Sequence, residues 1–306
     1  MKVNPGKGET LLIIQIICLS FTLLLVGLRV YTKRKILDGN KWEDYLMYFA
    51  LLLYSTQSAF VMHGVILGGV GQPISQLTSS QISIALQAWY VGESIYGPLS
   101  AVVRTSIGIF ILRLSAKTTK AGQVKFVLWV SLGLTWCFTV VYLFINVFQC
   151  SPVSFYWKQI EEQDIHGSCS NSKRVPIAAI CHSAFAALCD IVLGVLPAWT
   201  LWGGEFEPHK RFGLILLLSF GILAGFVMIV RIPFIRILEV STDFLAETVD
   251  VAICSIIEPC LGIVAGCLPT VWCLRGKIKR WRCGQRLVQN RSTRDSALIS
   301  TNYPPQ

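Results

Sequence analysis

Long apolar runs separated by short polar breaks set the architecture of this chain. Seven runs reach the ~20 residues a helix needs to cross a bilayer, near 10–31, 44–67, 86–113, 126–148, 176–202, 212–235 and 247–273. The third is the weakest by hydropathy because it carries Glu93 and Arg104. Connections are short except for 149–175, and short connections favour antiparallel packing of sequential helices. The predicted fold is all-α, a seven-transmembrane helix bundle.

Composition supports this class. The 306 residues are 53% hydrophobic and 14% charged, with mean hydropathy +0.58, against about 25% charged in a soluble domain. A net charge of +10 would suit a nucleic-acid partner if it formed a patch. Here the basic residues lie in short segments between apolar runs, so the partner they predict is the lipid bilayer and not nucleic acid.

Their distribution also predicts orientation. Lys33, Arg34, Lys35 and Lys41, then Lys117, Lys120 and Lys125, then Lys210 and Arg211 fall in alternate connections, and Arg275, Lys277, Lys279, Arg280 and Arg282 begin the tail. The other side holds Lys2, Lys7, Lys158, Lys173 and Arg174, with about one more at the end of the sixth run and none in 68–85. The excess predicts an N-terminus outside and a cytosolic C-terminus. Three parts follow: a short extracytoplasmic segment 1–9, the helical domain 10–274 and a basic, disordered cytosolic tail 275–306. The sequon Asn290-Arg291-Ser292 falls in that tail and should be unused. The first run, Leu11 to Tyr31, exceeds the ~7–15 residues of a signal-peptide core and should stay as an anchor.

Most of the 11 cysteines lie within apolar runs and read as small hydrophobic side chains. Cys150 and Cys169 instead share the long connection 149–175, which this orientation places in the oxidising compartment. A disulfide between them would add roughly 3 kcal/mol by restricting the unfolded chain. The cysteines at 254, 260, 267 and 273 read as packing residues of the last helix, and no metal site is expected.

The buried charges carry the functional question. Asp190 sits in the middle of the run from Pro176 to Leu201, where a carboxylate costs roughly 2.5–3.5 kcal/mol to insert and needs a partner or a task. In the third run Glu93, Gly97, Ser100 and Arg104 share one helical face, with Tyr96 beside it. Glu93 and Arg104 are about 16 Å apart along that axis, too far to pair with each other. Matching depths across helices predicts Arg104 with Asp190 or Glu258, and Arg231 with Glu93 or an acid of the seventh run. His182 and Asp190 are eight positions apart and lie near one face. Ion pairs that fix helix register are one reading of this network. A ligand pocket in the outer half, built on Glu93, Tyr96, His182, Asp190, Arg231 and Glu258 with Arg104 nearby, is the other. Ion or proton transport would need more polar residues along several helices.

Elsewhere Trp42-Glu43-Asp44 opens the second helix, the acids suiting its N-terminus and the Trp the interface. The pairs Gly64/Gly68, Gly221/Gly225 and Gly262/Gly266 predict close helix packing. Gly64, Gly68, Gly69 and Gly71 together read as a flexible outer loop.

These residues resemble one family, the fungal rhodopsin-domain integral membrane proteins, a seven-helix group with receptor-like members. The marks are Trp42-Glu43-Asp44, the glycines from Gly64 to Gly71, Glu93-Ser94-Ile95-Tyr96 and Arg104-Thr105-Ser106-Ile107. Phe148-Gln149-Cys150-Ser151-Pro152, Trp157, Cys169, Asp190, Leu196-Pro197, Trp202, Arg231, Glu258 and Cys267-Leu268-Pro269 complete the set. Arg104 stands where the family pattern leads one to expect Lys, a change of geometry at constant charge. The resemblance implies a link to sensing or to fungal secondary metabolism. It does not imply retinal, because residues 247–273 contain no lysine for a Schiff base. The third helix ends Leu112-Arg113-Leu114, without the Asp/Glu-Arg-Tyr pattern of ordinary G-protein-coupled receptors.

The expected function is therefore a receptor-like or accessory membrane protein. It would bind a small apolar ligand in its outer half and meet a signalling partner in the cytosol, with the plasma membrane favoured over the endoplasmic reticulum. The alternative is a membrane-bound enzyme of secondary metabolism, with Glu93, Asp190 and Glu258 as general acid and base on an apolar substrate. No cofactor, nucleotide or nucleophile signature accompanies either.

Overall fold

The computed structural model describes residues 6–35, 39–116, 118–161, 166–169, 174–201, 208–240 and 243–272. Seven long helices cross the molecule: α1 (Gly6–Lys35), α2 (Trp42–Ile66), α3 (Ser79–Ser115), α4 (Ala121–Val147), α6 (Arg174–Leu201), α7 (Pro208–Val240) and α8 (Phe244–Trp272). All are long and apolar enough to span a membrane. A fourth-to-sixth connection carries the short helix α5 (Phe155–Lys158) and a two-stranded hairpin, β1 (Cys150–Ser151) with β2 (Ser168–Cys169). The expected tail and its sequon lie outside the described residues.

Helices extend past the apolar runs because polar end residues continue them. α3 begins at Ser79, not at 86, because Thr78 and Gln81 cap it reciprocally: Gln81 Oε1 accepts from Thr78 N at 3.0 Å and Thr78 Oγ1 from Gln81 N at 3.4 Å. This Thr-x-x-Gln box fixes the helix start before the apolar pattern becomes visible.

The polarity of the molecule is that of a membrane bundle. α1 turns Ile13, Ile17, Phe21 and Leu24 outward, and α4 turns out Phe126, Trp129, Val141 and Phe144. The largest fully buried side chains include Arg29, Arg104 and Arg231. α3 and α8 form the centre: 67% of each spanning window is buried, against 28% for α1, α2, α4 and α7.

Small residues set the closest helix contacts. A Cβ at Gly221 of α7 would lie 2.9 Å from Gly194 Cα of α6, and one at Gly262 of α8 would lie 2.6 Å from a Val103 methyl of α3. The glycine-rich segment after α2 is packed, which corrects the expectation of a free loop. Gly64 belongs to α2, Gly68 lies against the Ala85 backbone, and Gly71, at φ 94°, donates from its N–H to Leu245 O at 3.1 Å. Only a residue without a Cβ holds that dihedral cheaply.

Candidate functional site

Polar side chains inside the bundle gather at three depths. At the end bearing the hairpin, Arg231 Nη2 of α7 donates to both Glu93 oxygens, at 3.1 and 2.9 Å. Tyr142 of α4 adds its hydroxyl to Glu93 Oε2 at 2.6 Å, and Ser255 of α8 reaches Oε1 at 3.4 Å. The guanidinium lies 4.4 Å from the Tyr96 ring centroid, within cation–π range. Tyr96 donates to Met228 Sδ at 3.1 Å. His182 stacks on Tyr142 with centroids 5.1 Å apart, and its Nε2 is 3.3 Å from Thr139 Oγ1.

At mid-depth Arg104 grips Asp190 with two parallel bonds, Nε to Oδ1 at 2.8 Å and Nη2 to Oδ2 at 2.9 Å. Its Nη2 also reaches Glu258 Oε1 at 2.8 Å, and Ser100 bonds both Arg104 and Glu258. One guanidinium thus faces two carboxylates, all three buried.

The third layer lies at the opposite end. Arg29 and Lys33 of α1 meet Asp44 of α2 at 2.6 and 2.9 Å, and Asp44 Oδ2 also accepts from Lys41 N at 2.8 Å, capping α2. Glu43 pairs with Arg113, while Ser106 donates to the Glu43 carbonyl at 2.7 Å. Arg29 closes the layer by donating to Gly266 O of α8.

A cavity of about 360 Å³ opens beside the first layer. Glu93 and Arg231 are the charged residues in its lining, which also includes Trp89, Tyr142, Asn146, Gln149, Tyr156 and Phe244. The stapled connection roofs this end: Cys150 and Cys169 are bonded (S–S 2.01 Å), and Tyr156 and Trp157 of α5 lie 5.6 and 5.4 Å from the Tyr90 ring. Burial, and after it the Glu93 charge, push the Tyr156 phenol up, so Tyr156 faces the cavity as a neutral hydroxyl.

A model of the fungal rhodopsin domain matches residues 28–277 of the chain. The chain belongs to the fungal rhodopsin domain family. The domain takes in every side chain of the three layers. Neither the curated proteins nor the solved structures yield a match.

Within this fungal rhodopsin domain, the residues singled out in the sequence separate into two groups. Glu93 and Arg231 line the cavity, with Tyr96 and His182 packed next to the pair. Arg104, Asp190 and Glu258 form a closed cluster that does not line it. Depth along the helices separates them, so this cavity is lined by Glu93 and Arg231 and not by Arg104, Asp190 or Glu258. Trp89, Tyr142, Asn146 and Tyr156 were not anticipated, since aromatic and amide residues at helix ends look like ordinary interface residues. The cavity-lining Asn146 is the exception in retrospect: it closes an apolar run and donates to Ser94 Oγ at 3.0 Å.

Proposed function

We propose that this membrane protein is receptor-like, or accessory to a sensing or secondary-metabolite pathway, and that it holds a small ligand in the cavity beneath the hairpin. The observation that carries the reading is the cavity itself, whose floor is the Glu93–Arg231 pair. Its volume falls in the range of roughly 300–1,000 Å³ typical of ligand sites, and its walls are mostly apolar with a few polar groups. The lysine and arginine bias supports the hairpin end as the outer one. A ligand would then enter from outside the plasma membrane, and the basic end would meet a cytosolic partner.

The enzyme reading has less support. Acid–base work on one substrate needs its carboxylates at one cavity, and of Glu93, Asp190 and Glu258 only Glu93 lines this one.

Comparing metabolites and transcripts of the source organism tests the reading, using wild type, a deletion and the cavity-narrowing Val175→Trp. The two altered strains should share a shift across whole pathways or transcript sets, with the Val175→Trp protein present at normal levels. Accumulation of a single intermediate in both would sink the receptor reading in favour of the enzyme.

A further inference from the structure

The ion pair under the cavity has one unused donor, a buried atom with almost no accessible surface, and no spare acceptor. Both Glu93 oxygens are already engaged, by Tyr142, Arg231 and Ser255. Arg231 is 1% exposed and spends Nη2 on Glu93 and Nη1 on Ser183 at 3.4 Å. Its Nε has no hydrogen-bond partner among the described residues. An orphaned buried donor is costly unless something accepts from it.

Charge narrows the class further. Glu93 and Arg231 cancel, and the remaining lining residues carry no formal charge. A second carboxylate at this floor would face Glu93 in a desolvated site, and a cation would face Arg231, so either would enter without a free counter-charge. Above the floor stand Trp89, Tyr142, Tyr156 and Phe244, whose faces and edges favour flat apolar bodies.

We infer that the cavity takes an uncharged, flat, mainly apolar molecule that presents one carbonyl or hydroxyl oxygen to Arg231 Nε. This rests on the reading of the cavity as a ligand site and adds the chemistry of what fills it.

Three probes of one shape separate the possibilities: 2-acetylnaphthalene (uncharged ketone), 2-naphthoate (anion) and 2-ethylnaphthalene (no oxygen). Equilibrium binding is measured on the full chain in lipid nanodiscs. Specific binding is the part lost in Val175→Trp and in Ala179→Phe, two independent ways of narrowing the cavity. The ketone should bind specifically and roughly tenfold more tightly than the hydrocarbon, the increment of a hydrogen bond from a charged donor. It should also exceed the naphthoate. Arg231→Lys keeps the ion pair with Glu93 but removes the Nε donor, and should bring the ketone-to-hydrocarbon ratio towards one. Specific binding of the hydrocarbon or the anion as tight as that of the ketone overturns this inference and leaves the ligand site standing. If no probe binds specifically, the cavity is not a ligand site and both fall.

Discussion

Arg104 Nε and Nη2 lie 2.8 and 2.9 Å from the two oxygens of Asp190, a forked pairing that a lysine could not make. The same Nη2 is shared with Glu258, so the cluster holds one base against two acids. Arg104→Met would leave both carboxylates uncompensated and should cost about 3–5 kcal/mol. Glu258→Gln leaves a neutral forked pair and should stay within about 1 kcal/mol of wild type. Thermal unfolding of the two variants in the same detergent decides it. Equal losses would mean that the forked pair does not dominate the cluster.

The cysteine pair spans a sequence separation of 19. Cys150→Ser with Cys169→Ser should lower stability by about 3 kcal/mol through the loosened unfolded chain. Alkylation of non-reduced wild type, read by mass spectrometry, should leave both cysteines unmodified. Alkylation of both would remove the bond.

Between α6 and α7 the contact at Gly194 and Gly221 leaves no room for a side chain. Gly221→Val should destabilise by about 1–3 kcal/mol through forced separation of the helices. Gly133→Val, on a face with nothing within 4 Å, should stay within about 0.5 kcal/mol. Paired melting curves test the difference, and similar midpoints would deny that α6 and α7 pack as described.

Asp44 is at once the cap of α2 and the counter-ion of Arg29 and Lys33. Asp44→Asn keeps the shape but removes the carboxylate from buried Arg29 and leaves Lys33 with Glu43 at 4.0 Å, so a loss of about 3–5 kcal/mol is expected. Trp42, its neighbour two residues earlier, is 80% exposed, and Trp42→Ala should change stability by less than about 1 kcal/mol. Denaturation monitored by helical circular dichroism compares them. A mild Asp44→Asn would assign the layer's stability to Glu43 and Arg113.

The sequence exposed the seven helices and the first two polar layers for the same reason: polarity inside a bilayer is costly. A charge in the middle of an apolar run stands out, and Arg104, Asp190, Glu258, Glu93 and Arg231 are few enough that depth alone nearly determines who meets whom. Cys150 and Cys169 were similarly conspicuous, sharing one connection. The third layer was not legible. Arg29, Lys33 and Arg113 sit at the ends of runs, where basic residues ordinarily extend to the lipid headgroups, and Glu43 and Asp44 looked sufficient as N-terminal acids. The cavity was hidden for a different reason. It depends on which side chains leave space between five spanning helices and the short α5, and hydropathy records no shape.

The layers also constrain how the bundle can move. α3 supplies Glu93, Arg104, and Ser106 with Arg113 to the three depths in turn, and α8 supplies Ser255, Glu258 and the Gly266 carbonyl. Turning either helix by one residue, about 100°, would break contacts at every depth together, so the two behave as a keyed pair of shafts. α7 enters these layers at the first depth, through Arg231 and Met228 among its described side chains, and Arg231 also ties it there to Ser183 of α6. The described polar contacts thus hold α3 and α8 at all three depths and α7 at the first, so a change beside Glu93 bears on a helix pinned at one level and on two pinned at three.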